Sequence, residues 1–260
     1  MDPFVTSPCK RANATGESGN PRKRIKLEEE DEESRIMAEF SNPIPWQKIE
    51  AEELDCDYAL LFSKQQADEL FKRLETEVEY FTEEETRVLV FGKLHRIPRK
   101  QATYGDSGLM YSFSGVHLLA RPWTPTLEYI RDAVTDATGN TFNFVLVNRY
   151  KDGHDHICEH RDDERELDPT CPIASVSLGA ARDFVLRHRD SRGQQPQRRI
   201  KPVKLLLAHG SLLLMNQPTN THWYHSVPPR KRVLTPRINL TFRRIVTENV
   251  LGPAPARARS

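Results

Sequence analysis

Two stretches of the chain place apolar residues at helical spacing. After Ser63, apolar side chains fall at Ala67, Leu70, Phe71, Leu74 and Val78, the rhythm of a helix with one buried face. Ser63 followed three residues later by Gln66 is the capping-box pattern that starts such a helix. The second stretch opens at Thr124-Pro125, carries Leu127, Ile130 and Val134 on one side, and meets a stop at Gly139. Elsewhere the period is two or the run is short and apolar. Strands are predicted over 87–91, 141–150, 173–179, 183–186, 203–207, 211–215 and 237–245. Many strands, few helices and Gly/Pro turns predict a mainly β fold, a sandwich or barrel with flanking helices.

The last strand is the most informative. Ile238, Leu240 and Phe242 alternate with Arg237, Asn239, Thr241 and Arg243, so one face is apolar and the other polar. If the polar face looks into a barrel, two guanidiniums are buried and need anionic partners. A dicarboxylate matches, because the arginine fork fits carboxylate geometry. An amphipathic strand with its polar face in water has the same pattern. The strand over 141–150 favours the inward reading: Asn148 and Tyr150 share a face with Phe142 and Leu146, like the rim of a pocket.

Composition then sets the frame. The 260 residues allow one substantial domain or a domain plus tails. Residues 1–45 are polar and charged and are expected to be disordered; the folded domain is expected over 46–247, with a flexible tail over 248–260. Pro21-Arg22-Lys23-Arg24-Ile25-Lys26-Leu27 is a compact basic cluster ahead of an acidic run, a pattern that suits nuclear import. No apolar run reaches spanning length and the first residues lack a signal peptide's apolar stretch, so a soluble intracellular protein away from membranes is expected. Four cysteines without a CxxC pair suit a reduced compartment. From Arg182 onward there are 16 Lys and Arg against 3 Asp and Glu, while the whole chain is +1. The basic half points to a polyanionic partner.

The chemistry concentrates in His154-Asp155-His156-Ile157-Cys158-Glu159-His160-Arg161-Asp162-Asp163 and, far downstream, Thr221-His222-Trp223-Tyr224-His225-Ser226. Two histidines and a carboxylate on one face of a metal leave positions open for a co-substrate and oxygen, the arrangement of non-heme iron oxygenases. Spacing alone does not choose among His154, His156, His160, His222 and His225, and a zinc hydrolase site uses similar ligands.

The full set is more specific. His160-Arg161-Asp162, His225 and Arg237-x-Asn239-x-Thr241-x-Arg243 occur in order on a strand-rich chain. With Arg99–Asp106, Phe142–Val145, Asn148–Gly153, Glu159–Glu166 and Pro218–Ser226, they resemble the AlkB family of DNA dealkylating dioxygenases, most narrowly its nuclear, duplex-repairing animal branch. The likeness runs from Trp46 to Ile245. It implies a double-stranded β-helix, or jelly roll. It implies His160, Asp162 and His225 as ligands of Fe(2+), and Arg237 and Arg243 on the carboxylates of 2-oxoglutarate, with Asn148, Tyr150 and Thr241 adding hydrogen bonds. His154, His156 and His222 then take supporting roles. The implied reaction uses O2, turns 2-oxoglutarate into succinate and CO2, and hydroxylates the alkyl carbon, which leaves as formaldehyde. The implied substrates are 1-methyladenine and 3-methylcytosine in double-stranded DNA, with etheno adducts a further class.

Such a base must be flipped from the stack. Phe91 in Val90-Phe91-Gly92 matches the family's intercalating finger. Tyr111 and Phe113, expected on one face of a further strand, match with Ser114 the lid over the flipped base, and Glu164 the acid beside it. Arg99, Arg187, Arg230, Lys231 and Arg232 are expected to grip phosphates. Relatives on this branch often begin with a motif that docks on the replication clamp; here Asp2-Pro3-Phe4-Val5-Thr6-Ser7 departs from it, which argues against docking. Gly193-Gln194-Gln195 also carries less charge than relatives lead one to expect. A monomer is expected. The same machinery acting on RNA or on a protein side chain, and a binding protein without turnover, are the competing readings.

Overall fold

The structure is a computed structural model. It describes residues 44–246 apart from 83, 87, 91, 92, 96, 114 and 115, and only the backbone over 88–95 and 111–118. The tail over 1–43, the clamp-like and basic motifs within it, the segment 247–260, Phe91 and Ser114 lie outside the described residues.

Strands β1 (Gln47–Ala51) and β2 (Leu54–Leu60) form a hairpin that leads into α1 (Lys64–Glu77). Next come β3 (Val88–Val90), β4 (Lys93–His95), β5 (Lys100–Gly105), β6 (Met110–Phe113) and β7 (Val116–Leu119), followed by α2 (Pro125–Thr138). Then follow β8 (Phe144–Tyr150), β9 (Ile157–His160), β10 (Ile173–Gly179), β11 (Arg182–His188), β12 (Val203–Leu207) and β13 (Ser211–Met215). A short α3 (Thr219–His222) precedes β14 (Trp223–Val227) and β15 (Arg237–Arg243).

Both long helices begin, and the second also ends, as the sequence predicts. Ser63 Oγ accepts from the Gln66 amide while Gln66 answers the Ser63 N–H, closing the capping box. Thr124 caps α2, Pro125 fills its first turn, and Gly139 ends it in the left-handed region at φ +69°. Ala67, Leu70 and Leu74 of α1 and Leu127, Ile130 and Val134 of α2 bury one face each. Each such leucine or isoleucine contributes roughly 1.5–3 kcal/mol on burial.

These faces cover the seven-stranded sheet β1-β2-β13-β10-β15-β8-β5. Alternation decides what goes where. Val145, Val147, Val176, Leu178, Ile238, Leu240 and Phe242 meet the helices. The opposite sides of the same strands look toward the four-stranded sheet β12-β11-β14-β9, and a second core of Tyr150, Phe184, Leu186, Leu213, Met215 and Trp223 fills part of that side. Two antiparallel sheets with helices outside are the jelly-roll architecture the sequence implies.

One register expectation is corrected. The strand expected from 141 begins at Phe144, and Phe142 lies with Phe242 in the helix-side core, not on the Asn148 face. The cause is Asn143, whose side chain exchanges two hydrogen bonds with the backbone of Ile245. The Asn143 amide still donates to the Arg243 carbonyl, so these side-chain bonds follow directly on the last backbone pair. Phe144 and Leu146 are the residues that share a face with Asn148 and Tyr150. The apolar pattern does not announce β1, β2, β4, β5, β7, β9 or β14, which the fold adds to the predicted strands.

Candidate active site

β9 ends at His160, and β14 runs antiparallel to it with His225 directly opposite. Asp162 follows two residues beyond the strand end. One ligating atom from each of His160, Asp162 and His225 lies within 4.8 Å of the others. Asp162 and His225 are buried, and His160 is partly exposed. His160 Nδ1 stands 2.9 Å from the Cys158 carbonyl, to which it donates in the tautomer that leaves a lone pair on Nε2. The His225 ring packs on Phe184 and against the edge of His160. Burial lowers the pKa of both imidazoles, that of His225 to about 3, so both are neutral donors. Burial alone would raise the Asp162 carboxyl, but Arg243, with His225 and His160, holds it well below the usual carboxylate range. Arg243 Nη2 is 2.8 Å from Asp162 Oδ1.

The backbone of Asp162 is held from α3. Asn220 Oδ1 accepts from the Asp162 amide at 3.1 Å, and Asn220 Nδ2 donates to its carbonyl. Arg161, between the two β9-side members of the cluster, turns away and donates to the Thr221 carbonyl at 2.6 Å. His-x-Asp spacing thus puts residues 160 and 162 together and sends residue 161 elsewhere.

The polar face of β15 does look inward: Arg237, Asn239, Thr241 and Arg243 are all buried. Arg237 pairs in register with Tyr150, and Asn239 with Asn148. Arg237 Nη2 donates to Ser177 Oγ at 2.9 Å, but its Nε and Nη1 are buried with no hydrogen-bond partner among the described residues. Burial pulls this guanidinium down to about 10. Asn148 Oδ1 accepts from Arg99 Nε at 2.8 Å and from Gln101 Nε2 at 3.0 Å. Arg99 also donates to the His156 carbonyl, so it is engaged at the site's rim, where phosphate contact was expected of it.

A cavity of about 320 Å³ opens beside this cluster, and Arg161, Asp162, Glu164, Leu167 and Arg243 are among the residues that line it. Tyr111 and Phe113 belong to β6. Arg187 and Arg192 both pair with Glu159. Arg230 is exposed and paired with Asp183, while Lys231 and Arg232 are exposed in the loop between β14 and β15.

Sequence patterns do not single out Asn220, Ser177, Gln101 or Arg182. Arg182 is buried and donates to the carbonyls of Asp152, Asp155 and Pro228, tying the loop before β9 to the end of β14. Its placement follows from tertiary contacts, and no local spacing announces it.

Two neutral imidazoles and a carboxylate suit iron(II). A buried arginine with unused donors suits a carboxylate. Residues 58–243 match the family model for the 2OG-Fe(II) oxygenase superfamily, to which the chain therefore belongs. Within it the chain falls in the AlkB family. It is 68% identical over 201 residues to the DNA oxidative demethylase ALKBH2 of Homo sapiens, covering 77% of each chain. It is 66% identical to that of Mus musculus, over 77% of this chain and 84% of the relative. It is also 38% identical over 153 residues to the human alpha-ketoglutarate-dependent dioxygenase alkB homolog 3, covering 57% of this chain and 52% of the relative. The solved structure of OsALKBH1 superposes with a TM-score of 0.53 over 77% of this chain and all of that one, at 16% identity, a likeness of fold.

Proposed function

We propose that the chain removes alkyl groups oxidatively from bases of double-stranded DNA, and that it does so in the nucleus. The observation that carries this reading is that two features occur together on the inward faces of the sheets. They are the His160, Asp162 and His225 cluster and an inward arginine pair, one member on Asp162 and the other with donors to spare. Its similarity to proteins named DNA oxidative demethylase supports the substrate class.

In this reading His160, Asp162 and His225 hold iron(II), and Arg237 and Arg243 hold the carboxylates of 2-oxoglutarate, with Asn148, Tyr150 and Thr241 beside them. When bound, the metal and co-substrate supply dioxygen activation, with 2-oxoglutarate ending as succinate and CO2. The chain's own residues bind and orient. Arg243 keeps Asp162 ionised, and burial keeps His225 neutral. One oxygen atom enters a C–H bond of the alkyl group; the resulting hydroxymethyl loses formaldehyde as its C–N bond breaks and a proton moves to restore the base. Glu164, lining the cavity, offers a carboxylate to the cationic rings of 1-methyladenine and 3-methylcytosine. Exposed Lys231 and Arg232 face the phosphates, and Tyr111, Phe113 and Ser114 cover the flipped base.

Phe91 is assigned to the gap the base leaves. An aromatic wedge restores stacking worth roughly 1–3 kcal/mol in a duplex and has little to replace in a single strand. Phe91→Ala is therefore expected to cripple repair of a 1-methyladenine duplex and to spare much of the activity on the same single strand at one fixed salt concentration. Equal losses on both would assign Phe91 to the core and return the substrate to RNA or protein.

A further inference from the structure

We propose that Glu53, His188 and His222 form a second divalent-metal site, of the zinc type, separate from the His160, Asp162 and His225 cluster. The three come from distant parts of the chain: the turn between β1 and β2, the end of β11, and the end of α3. Their ligating atoms lie within 4.8 Å of one another. Glu53 Oε2 is 2.8 Å from His188 Nε2 and 3.0 Å from His222 Nδ1.

Hydrogen bonding explains only part of this. One carboxylate oxygen faces two ring nitrogens, and the fully buried His188 engages it in line. His222 Nδ1 is buried and close, but makes no hydrogen bond of acceptable geometry among the described residues. Two imidazole nitrogens and one carboxylate oxygen are a donor set zinc takes. Bonds of roughly 2.0–2.2 Å in a tetrahedron set neighbouring ligand atoms roughly 3.4 Å apart. The two short contacts need open by only about half an ångström to admit the ion. Glu53 is 37% exposed on its side chain, which gives the ion a way in and a water a fourth position.

Binding through His188 Nε2 moves that ring's proton to Nδ1. There it gives up a long contact from the Asp190 amide, 3.2 Å, and meets the Asp190 carboxylate, 3.8 Å away. A carboxylate behind a metal-bound imidazole is a common arrangement that fixes the ring. Glu53 itself stands at φ +57°, a left-handed position where glycine is cheaper, so an acidic side chain is held there against local preference. The consequence is mechanical. The ion would clip the β1–β2 turn to β11 and to α3, immediately ahead of the strand that carries His225.

The test counts metal. Full-length chain stripped of metal is dialysed against zinc alone, and bound zinc per chain is measured, with thermal midpoints alongside. Two ions are expected in the unmodified chain, one in Glu53→Gln, one in Asp162→Ala and none when both are changed. Zinc should raise the midpoint of Asp162→Ala and leave that of the double variant unmoved. His222→Gln serves as an independent replacement for Glu53→Gln should that chain fold poorly. A single ion in the unmodified chain, or an unchanged count in both Glu53→Gln and His222→Gln, overturns the site. The Asp162→Ala count reports separately on the iron cluster.

Discussion

Arg237 and Arg243 look alike in sequence but have different surroundings. Arg243 already has an anionic partner in Asp162, whereas Arg237 is buried beside Ser177 and Tyr150 with two nitrogens unused. A charge-assisted contact is worth roughly 1.5–3 kcal/mol, or about ten- to a hundred-fold in binding. Arg237→Ala is expected to raise the KM for 2-oxoglutarate by about that factor with the iron requirement unchanged. Arg243→Ala is expected to raise the requirement for both, because it also frees Asp162. Steady-state titrations of each component check this, and identical behaviour of the two variants would contradict it. The alternation of residues 237–243 makes the inward face legible from sequence. It cannot supply the identity of the partners: Ser177, Asn220 and Arg182 reach the site through tertiary contacts far apart in the chain.

At the scale of elements, the caps are the most readable signals. Ser63 with Gln66, and Thr124-Pro125 with Gly139, mark helices whose ends the structure keeps. Strands that lie buried on both faces read as apolar runs. β2 escapes that reading although Leu54, Cys56 and Tyr58 alternate with Asp55 and Asp57. The loop after β8 has its own constraint. The Gly153 amide donates to the Val233 carbonyl and its carbonyl accepts from the Arg230 amide. A Cβ built on Gly153 would lie 1.7 Å from the Arg230 carbonyl oxygen, so backbone must move to admit one. Gly153→Ala is expected to cost about 1–3 kcal/mol, read as a shift in the denaturation midpoint, and to displace the basic loop that begins at Arg230. A midpoint equal to that of the unmodified chain would show the two loops to be uncoupled.

For the molecule as a whole, charge is legible in kind but not in distribution. The basic half does carry exposed Lys231 and Arg232, yet Arg187, Arg192 and Arg230 are paired with Glu159 and Asp183. Each phosphate neutralised contributes about 0.9 to the slope of log K against log salt. Replacing Lys231 and Arg232 with alanine should therefore lower that slope for duplex binding by roughly 1.8, and adding Arg230→Ala should lower it by less than a further 0.9 or so. A fluorescence titration over a salt series decides this, and an unchanged slope would remove the loop from the DNA contact. No helix among the described residues is long and apolar enough to cross a membrane.

The most direct test of the central assignment is a product balance. The purified chain is supplied with iron(II), 2-oxoglutarate and oxygen, with and without a duplex carrying 1-methyladenine. Formaldehyde and repaired base are expected in equal amounts, with matching succinate, and only when the methylated duplex is present. His160→Ala, Asp162→Ala and His225→Ala are each expected to abolish all three products while the fold survives by circular dichroism, and His222→Ala is expected to retain turnover. Loss of the products in His222→Ala with retention in His225→Ala would contradict the account.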